Sequence, residues 1–335
     1  MSIELGGVLS SMIAGYSEWL VIELSGIFSD LTNLKKRVSL PYLLTGILFT
    51  YVIFYLRYRA TAIERLKPLF TLTLWTNRSA RSDYGLWILN RLILPFIYPK
   101  LITKLTLITF LMYQLGRVEL FEVSLALSDW QVMTLFSVSY FLLDDFSRFY
   151  THRLMHWWPF LWQFHRVHHS ATVLTPFTVL RTHPIEGVLF YLRSLAVQSV
   201  LVSTFIILFP GQVSLFMVMG VFASTFVFNL LGANLRHSPI PLSYGSKIEK
   251  WIISPAQHQL HHSRDKAHYD CNFGVVLAIW DRLFSSWAKG SDSQKLLYGT
   301  GTSLDQSHVV MLYVEPFISL ARSGVSSLRR LIKHR

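Results

Sequence analysis

Eight histidines of this chain fall in three compact patterns: His152-Arg-Leu-Met-His156, His165-Arg-Val-His168-His169 and His258-Gln-Leu-His261-His262. Residues three and four apart share one face of an α-helix, so each pattern presents its imidazoles in a single direction. Imidazoles gathered in one place repel one another when protonated and lose their hydration when buried. A metal ion that holds them neutral resolves both problems. Eight nitrogens exceed what one ion takes, whereas two ions with four or five each can use them, and imidazole suits Zn, Cu, Fe or Ni. No Glu has a His three residues later, which removes a carboxylate-bridged bundle site, and the His-Glu-x-x-His motif of zinc proteases is missing. A lone His-x-x-x-His beside a membrane is more often interfacial polarity than a ligand pair. Three patterns together argue for an all-histidine metal site.

The elements that must position these side chains are apolar. Of 335 residues, 52% are hydrophobic and only 15% charged, with ten Trp, fifteen Tyr and twenty-four Phe. Soluble domains carry about a quarter charged residues, so too little polar surface is left to cover a soluble globule, and a bilayer is the expected setting. The net charge of +12 comes from 19 acids as much as from 31 bases. That balance, with so few charges overall, argues against nucleic acid as a partner. The single Cys271 excludes an internal disulfide and a Cys-rich metal site and reads as a small apolar filler. The first thirty residues lack the basic start and clean apolar run of a signal peptide.

Runs long enough to cross about 30 Å of hydrocarbon lie at 39–56, roughly 92–115, 123–143, 195–209 and 213–231. The last two flank Pro210-Gly211-Gln212 and form a helical hairpin. A hairpin returns the chain to the side it left, so the histidine-bearing stretches before and after it share one face of the membrane. Four Lys/Arg in 144–184, thirteen in 232–335 and seven in 57–91, against none in the hairpin turn, place that face in the cytoplasm. This arrangement leaves Lys35, Lys36 and Arg37 on the other side.

The fold expected is all-α: an integral-membrane bundle of about four or more transmembrane helices with a cytoplasmic helical cap that carries an all-histidine dimetal site. Residues 1–38 form an interfacial or weakly hydrophobic segment, and 39–143 hold transmembrane helices with a cytoplasmic loop at 57–91. Residues 144–290 are the histidine-box region with the hairpin 195–231, and 291–335 are a basic amphipathic tail. Within that tail, Val314 to Arg335 reads as a membrane-surface helix.

From about Leu142 to Phe284 the chain resembles the fatty acid hydroxylase / sterol desaturase superfamily, membrane histidine-box di-iron oxygenases, in a bacterial-type form without fused cytochrome b5. The resemblance rests on Asp145 seven residues before His152, His152-Arg153-x-x-His156, Phe164-His165-x-x-His168-His169-Ser170 and Arg181-x-His183-Pro184-x-Glu186. It continues through Asn234-Leu235-Arg236-His237-Ser238, Ser254-Pro255-Ala256-Gln257-His258-x-x-His261-His262-Ser263, Asn272-Phe273-Gly274 and Trp280-Asp281-Arg282-Leu283-Phe284. It implies that the eight boxed histidines are ligands and that His237 is a ninth. Some relatives carry a further His where this chain has Ala233, and Asn234 could support a bound water instead. His183, on the same face just before the hairpin, is a possible additional ligand. Ligand imidazoles need an acceptor on their other nitrogen. Asp145 is the best choice among Asp144, Asp145, Glu186 and Asp281, and His268 could also support a ligand. Arg148, Arg153 and Arg166 read as partners of these acids or of lipid phosphates.

The cofactors implied are two iron ions with O₂ as cosubstrate, and no catalytic residue beyond the metal centre is expected. The substrate expected is a membrane lipid: a fatty acyl chain, sterol, glycerolipid or aminolipid such as ornithine lipid. Its aliphatic C–H would be hydroxylated, or alternatively desaturated by the same site. With no His-Pro-Gly-Gly haem motif, dinucleotide loop or Cys set, electrons must come from a separate ferredoxin, cytochrome or reductase. The location expected is multi-pass in a bacterial inner membrane, or alternatively the endoplasmic reticulum, with the histidines on the cytoplasmic face. Readings of another class are a metal transporter, which predicts ionisable groups within the spans, and a lipid-binding scaffold held by structural zinc.

Overall fold

The computed structural model describes residues 2–34, 36–97, 102–115, 127–213, 227–230 and 232–333. Its helices are α1 (Ser2–Thr32), α2 (Leu40–Tyr58), α3 (Ala62–Leu66), α4 (Leu72–Thr76), α5 (Arg78–Ile97) and α6 (Lys104–Leu115). They continue with α7 (Asp129–Trp157), α8 (Pro159–His169), α9 (Pro184–Leu208), α10 (Pro255–His261), α11 (Ile279–Leu283) and α12 (Val309–Lys333). Among the described residues no strand forms, and isolated bridges pair only Ile252 with Leu277 and Ser263 with Tyr298. The all-α expectation therefore holds. Two stretches, Leu40–Thr76 and Pro184–Leu208, are long and apolar enough to cross a membrane. Residues 98–101 and 116–126, which belong to two of the other expected spans or their junction, and 214–226, most of the hairpin's second arm, lie outside the described residues.

Helices α7 and α9 form the frame. They run antiparallel and change character along their length. At the end remote from the histidines, Val132 and Phe136 pack on Leu201, Phe205 and Phe209, with the Phe136 and Phe205 rings edge to face at 5.1 Å. Further along, Gln198 donates to the Tyr140 hydroxyl at 2.6 Å, and Asp144 accepts from Arg193 at 2.8 Å and from Arg148 at 2.7 Å. Polar groups between apolar helices are tolerated only when paired, and one carboxylate here serves two guanidinium groups. His152 lies 23 residues beyond Asp129, or about 35 Å along the helix at 1.5 Å per residue.

Helix α2 lies alongside the histidine-bearing half and does not lead away from it. Arg37, just before it, lines a cavity with His152 and His168. Its middle, at Gly46, abuts Asn234, and Arg57 at its end pairs with Asp292 at 2.7 Å and donates to the Ser243 carbonyl. The expectation that Arg37 sits across the membrane from the histidines is thus corrected: both flanks of α2 meet the same half of the protein.

The C-terminal helix begins before Val314, and its first turns rest one side on the core while Val310, Met311, Val314 and Phe317 stay exposed. Leu312 is fully buried with Leu86, Val167 and Leu304, and Glu315 pairs with Arg166 of α8. The side chains from residue 324 onward lie outside the described ones.

Candidate metal centre

Each histidine segment is set by a local device. Trp158 is extended and Pro159 opens α8, so the chain turns sharply between α7 and α8 and brings His165, His168 and His169 back against His152 and His156. Helix α10 starts with a capping box: Ser254 Oγ accepts from the Gln257 amide at 3.2 Å, and Gln257 Oε1 accepts from the Ser254 amide at 3.0 Å. This fixes the register that turns His258, His261 and His262 inward. Gly232, at φ 85°, takes a left-handed conformation open to glycine at little cost and starts the turn that delivers His237.

Nine histidines come together in two adjacent groups. In the first, one nitrogen from each of His152, His156, His165, His169 and His261 lies within 4.8 Å of the others; in the second the same holds for His168, His237, His258 and His262. Neighbours in sequence divide between the groups, as His168/His169 and His261/His262 do, and the His169 and His262 rings stack at 4.5 Å between them. In the second group, Nε2 of His237 stands 3.2, 3.1 and 3.0 Å from the Nε2 atoms of His168, His262 and His258.

The donor set fits metal ions. Nε2 of His156, His165, His169 and His261, all in the first group, are buried with no hydrogen-bond partner. A buried polar atom without a partner costs about 1–3 kcal/mol, so so many in one place mark positions built to be satisfied by something else. Burial holds all nine imidazoles below their usual range, His152 at about 4 and His168 at about 3. They are therefore neutral, the form that ligates. Four are oriented from behind by fixed acceptors: His152 Nδ1 on the Phe273 carbonyl (2.9 Å), His165 Nδ1 on Glu186 (3.0 Å), His168 Nδ1 on the Arg181 carbonyl (3.3 Å) and His261 Nδ1 on the Cys271 carbonyl (2.8 Å). Such contacts select the tautomer that leaves Nε2 for a metal.

The supporting residues differ from the sequence expectation. Asp145 reaches no imidazole; it accepts from the Val276 and Leu277 amides at 2.9 and 3.0 Å and from the Trp280 indole at 3.0 Å. It thereby holds the loop whose Phe273 carbonyl receives His152, while Asp281 accepts from the Phe273 and Gly274 amides on the other side. A Cβ at Gly274 would stand 2.7 Å from Asp281 Oδ2, so the loop closes only over glycine. Asn234 is buried with both amide atoms unpartnered and touches Gly46. His268 bonds Ser263 Oγ at 3.0 Å and lies in neither histidine group. Arg153 donates to the Phe284 carbonyl and covers the Trp157 ring, so it neither pairs with an acid nor is free for lipid. The Cys271 thiol is buried and donates to the His268 carbonyl, in keeping with a filler.

His183 is not available as a ligand. Its Nδ1 accepts from the Ile185 amide at 3.1 Å, capping α9, and its Nε2 donates to the Tyr313 carbonyl at 3.1 Å. Burial lowers its pKa to about 4. A folded-state pKa below the unfolded value of about 6.5 means that the unfolded chain takes up the proton first. This group's contribution, full above pH 6.5, is lost as the pH falls toward 4, and amounts to about 3 kcal/mol. His183→Asn keeps the cap acceptor, and its unfolding free energy should fall with acid by about one proton less than that of the wild type between pH 6.5 and 4. Parallel denaturant titrations in detergent check this.

The acid that does touch an imidazole is Glu186, at the first turn of α9, with its other oxygen buried and unpartnered. Glu186→Gln should weaken metal affinity by about 10–100-fold while the helices persist, read by metal analysis after graded chelation. An acid two residues after Pro184, where an apolar helix begins, was the available sequence signal.

Cavities open on both sides of the centre. One of about 370 Å³ is lined by His156, His169, His261 and Trp162, with Arg264 and Tyr269. The opposite one, about 260 Å³, is lined by His152, His165, His168, His237 and His258. A third, about 420 Å³ between α1, α5 and α9, shares Val179 and Thr182 with the second.

The model of the fatty acid hydroxylase family matches residues 137–286, the stretch that holds both histidine groups. Residues 137–286 are a fatty acid hydroxylase domain. Over 161 residues, 48% of this chain, it is 30% identical to alkylglycerol monooxygenase of Homo sapiens, covering 32% of that protein. Over 209 residues, 58% of the chain, it is 31% identical to a Delta(7)-sterol 5(6)-desaturase of Aspergillus fumigatus, covering 59% of it. The chain thus spans about a third of the alkylglycerol monooxygenases it matches. No solved structure matches it. The fatty acid hydroxylase domain belongs to the superfamily inferred from the histidine motifs, and the relatives' names divide between oxygen insertion and double-bond formation.

Proposed function

We propose that this protein is a membrane-bound, O₂-dependent lipid hydroxylase, and that His152, His156, His165, His169 and His261 hold one iron ion while His168, His237, His258 and His262 hold the other. The observation that carries this reading is the pair of converging imidazole groups with unpartnered nitrogens. A pair of iron ions bound there supplies the reduction of O₂ that oxidises an unactivated aliphatic C–H bond. The chain's own contribution is positional. Phe273, Glu186, Arg181 and Cys271 fix the imidazole orientations, and the buried setting keeps the nitrogens unprotonated. The cavities of about 260 and 420 Å³ meet the same two residues, Val179 and Thr182, and a chain held against the histidines would pass between these to continue among α1, α5 and α9. The lipid enters from the bilayer, the histidines face the cytoplasm, and electrons arrive from a separate donor at the outer cavity beside His156 and His261.

Desaturation at the same centre is the second reading, supported by the match to a sterol desaturase. One experiment addresses both: lipids extracted from cells with and without the gene, grown under labelled O₂, are searched for products. A lipid that has gained a labelled oxygen supports hydroxylation, and one that has lost two hydrogens supports desaturation. Zinc in place of iron together with no oxidised lipid would overturn both.

A further inference from the structure

The cavity beside the histidines carries more positive charge than the protein itself balances. Arg37, Arg148 and Arg236 all line its roughly 260 Å³. Arg148 shares Asp144 with Arg193, so one carboxylate is divided between two guanidinium groups. Arg236 is 2% exposed; its Nη2 reaches the Val275 carbonyl, its guanidinium lies over the Phe228 ring at 4.7 Å, and its Nε has no partner. No carboxylate pairs with it among the described residues. Arg37 makes no hydrogen bond or ion pair among the described residues. Burial first, then the neighbouring Arg148 and Arg236, lower its pKa to about 9 against the opposing pull of Asp144 and Asp145, so it stays charged at neutral pH. Asp145 also acts on Arg236, so Arg37, Arg148, Arg193 and Arg236 face two nearby carboxylates, Asp144 and Asp145, neither of which lines the cavity. Glu186 is the one carboxylate lining the same cavity, and it is engaged with His165.

Sequestered cations in excess of their counter-charges are costly unless a ligand supplies the missing charge, and guanidinium groups converging on one space bind oxyanions by charge-assisted, often bidentate, hydrogen bonds. We propose that this cavity binds the phosphate or carboxylate headgroup of an acidic amphiphile through Arg37, Arg148 and Arg236. Resting on the oxidative reading above, this makes the substrate an anionic lipid whose reacting carbon lies within a few bonds of its headgroup, because arginines and histidines line one small cavity. The remaining chain runs past Val179 and Thr182.

The test is calorimetric and needs no turnover. The full-length protein in a neutral maltoside detergent is titrated with octyl phosphate, 1-octanol and inorganic phosphate. Octyl phosphate should bind at least about tenfold more tightly than either of the others, and Arg37→Gln should lose about tenfold of that affinity while Arg37→Lys retains most of it. Without the probe, Arg37→Gln should unfold at the wild-type temperature or above, since the substitution removes an uncompensated charge. Equal binding of octanol, or unchanged binding by Arg37→Gln and by Arg148→Gln, overturns the proposal. Inorganic phosphate binding as tightly as octyl phosphate would reduce the cavity to a small-anion site and also overturn it. A lower melting temperature for Arg37→Gln would show instead that Arg37 holds the fold. If octyl phosphate binds as expected but no oxidised lipid is ever found, the hydroxylase reading fails and the anion site stands; the converse pattern separates them equally.

Discussion

Alanine at His261 should strip the first histidine group of its metal and abolish lipid oxidation, and alanine at His168 should do the same through the second. Each imidazole contributes one nitrogen to a set confined within 4.8 Å, and each is held from behind by a backbone carbonyl, of Cys271 and of Arg181. Neither gap can be refilled by a neighbouring side chain, because the surrounding histidines are already committed. Loss of a partner behind a ligand typically costs about 10–100-fold in affinity or activity, so loss of the ligand itself should exceed about a hundredfold. Iron analysis of purified variants should fall well below the wild-type stoichiometry, with oxidised product lost in parallel. His183→Asn provides the contrast, since both of its ring nitrogens are engaged elsewhere and its metal content should be unchanged. Full iron content in both alanine variants would sink the assignment of ligands.

The largest effect on stability is expected at a pair outside the metal groups. Arg181 is 1% exposed and joins Asp83 of α5 at 3.0 Å, while also donating to Ser170, to the Val167 carbonyl and to the Ser79 carbonyl. Asp83, fully buried, accepts in addition from Thr178 at 2.7 Å. Removing one member of a buried, hydrogen-bonded ion pair leaves the other charge stranded and costs about 3–5 kcal/mol. Arg181→Met should therefore lower unfolding stability by that amount, and Asp83→Leu/Arg181→Met should recover part of it because no charge is left alone. Denaturant midpoints in detergent measure both. The backbone carbonyl of this residue receives His168, and Arg181→Met keeps that carbonyl but frees its segment from Asp83 and Ser170, so metal in the second group should loosen before that in the first.

The boxed histidines were legible because each lies on a helix or at its end, where sequence spacing of three and four maps directly onto one face. The division of those nitrogens into groups of five and four was not, since α8 and α10 each feed both groups and only their mutual docking decides which imidazole goes where. Asp145 illustrates the limit of periodicity. Seven residues do return to the same face as His152, but what occupies the space in front of that face is the Val276–Trp280 loop, which arrives from more than a hundred residues away. Carbonyl acceptors such as Phe273 and Cys271 leave no trace in residue type at all. Arg37 was misplaced because the apolar run after it satisfies every compositional requirement of a crossing helix, and only the tertiary contacts of Arg57 and Gly46 reveal that α2 lies beside the histidine half. The all-α architecture, by contrast, follows from apolar composition and helix-length runs.

The ligands are drawn from segments as far apart as His152 and His262, with α9 and the residues after it threaded between them. During synthesis the chain emerges from its N-terminus, so the first two boxes leave the ribosome long before the last. Neither group is complete without α10: the first lacks His261, and the second has only His168 until His237, His258 and His262 arrive. Metal retention would thus report on assembly, since a nascent or truncated chain stopped before residue 261 offers neither group's full set of histidines to a metal ion.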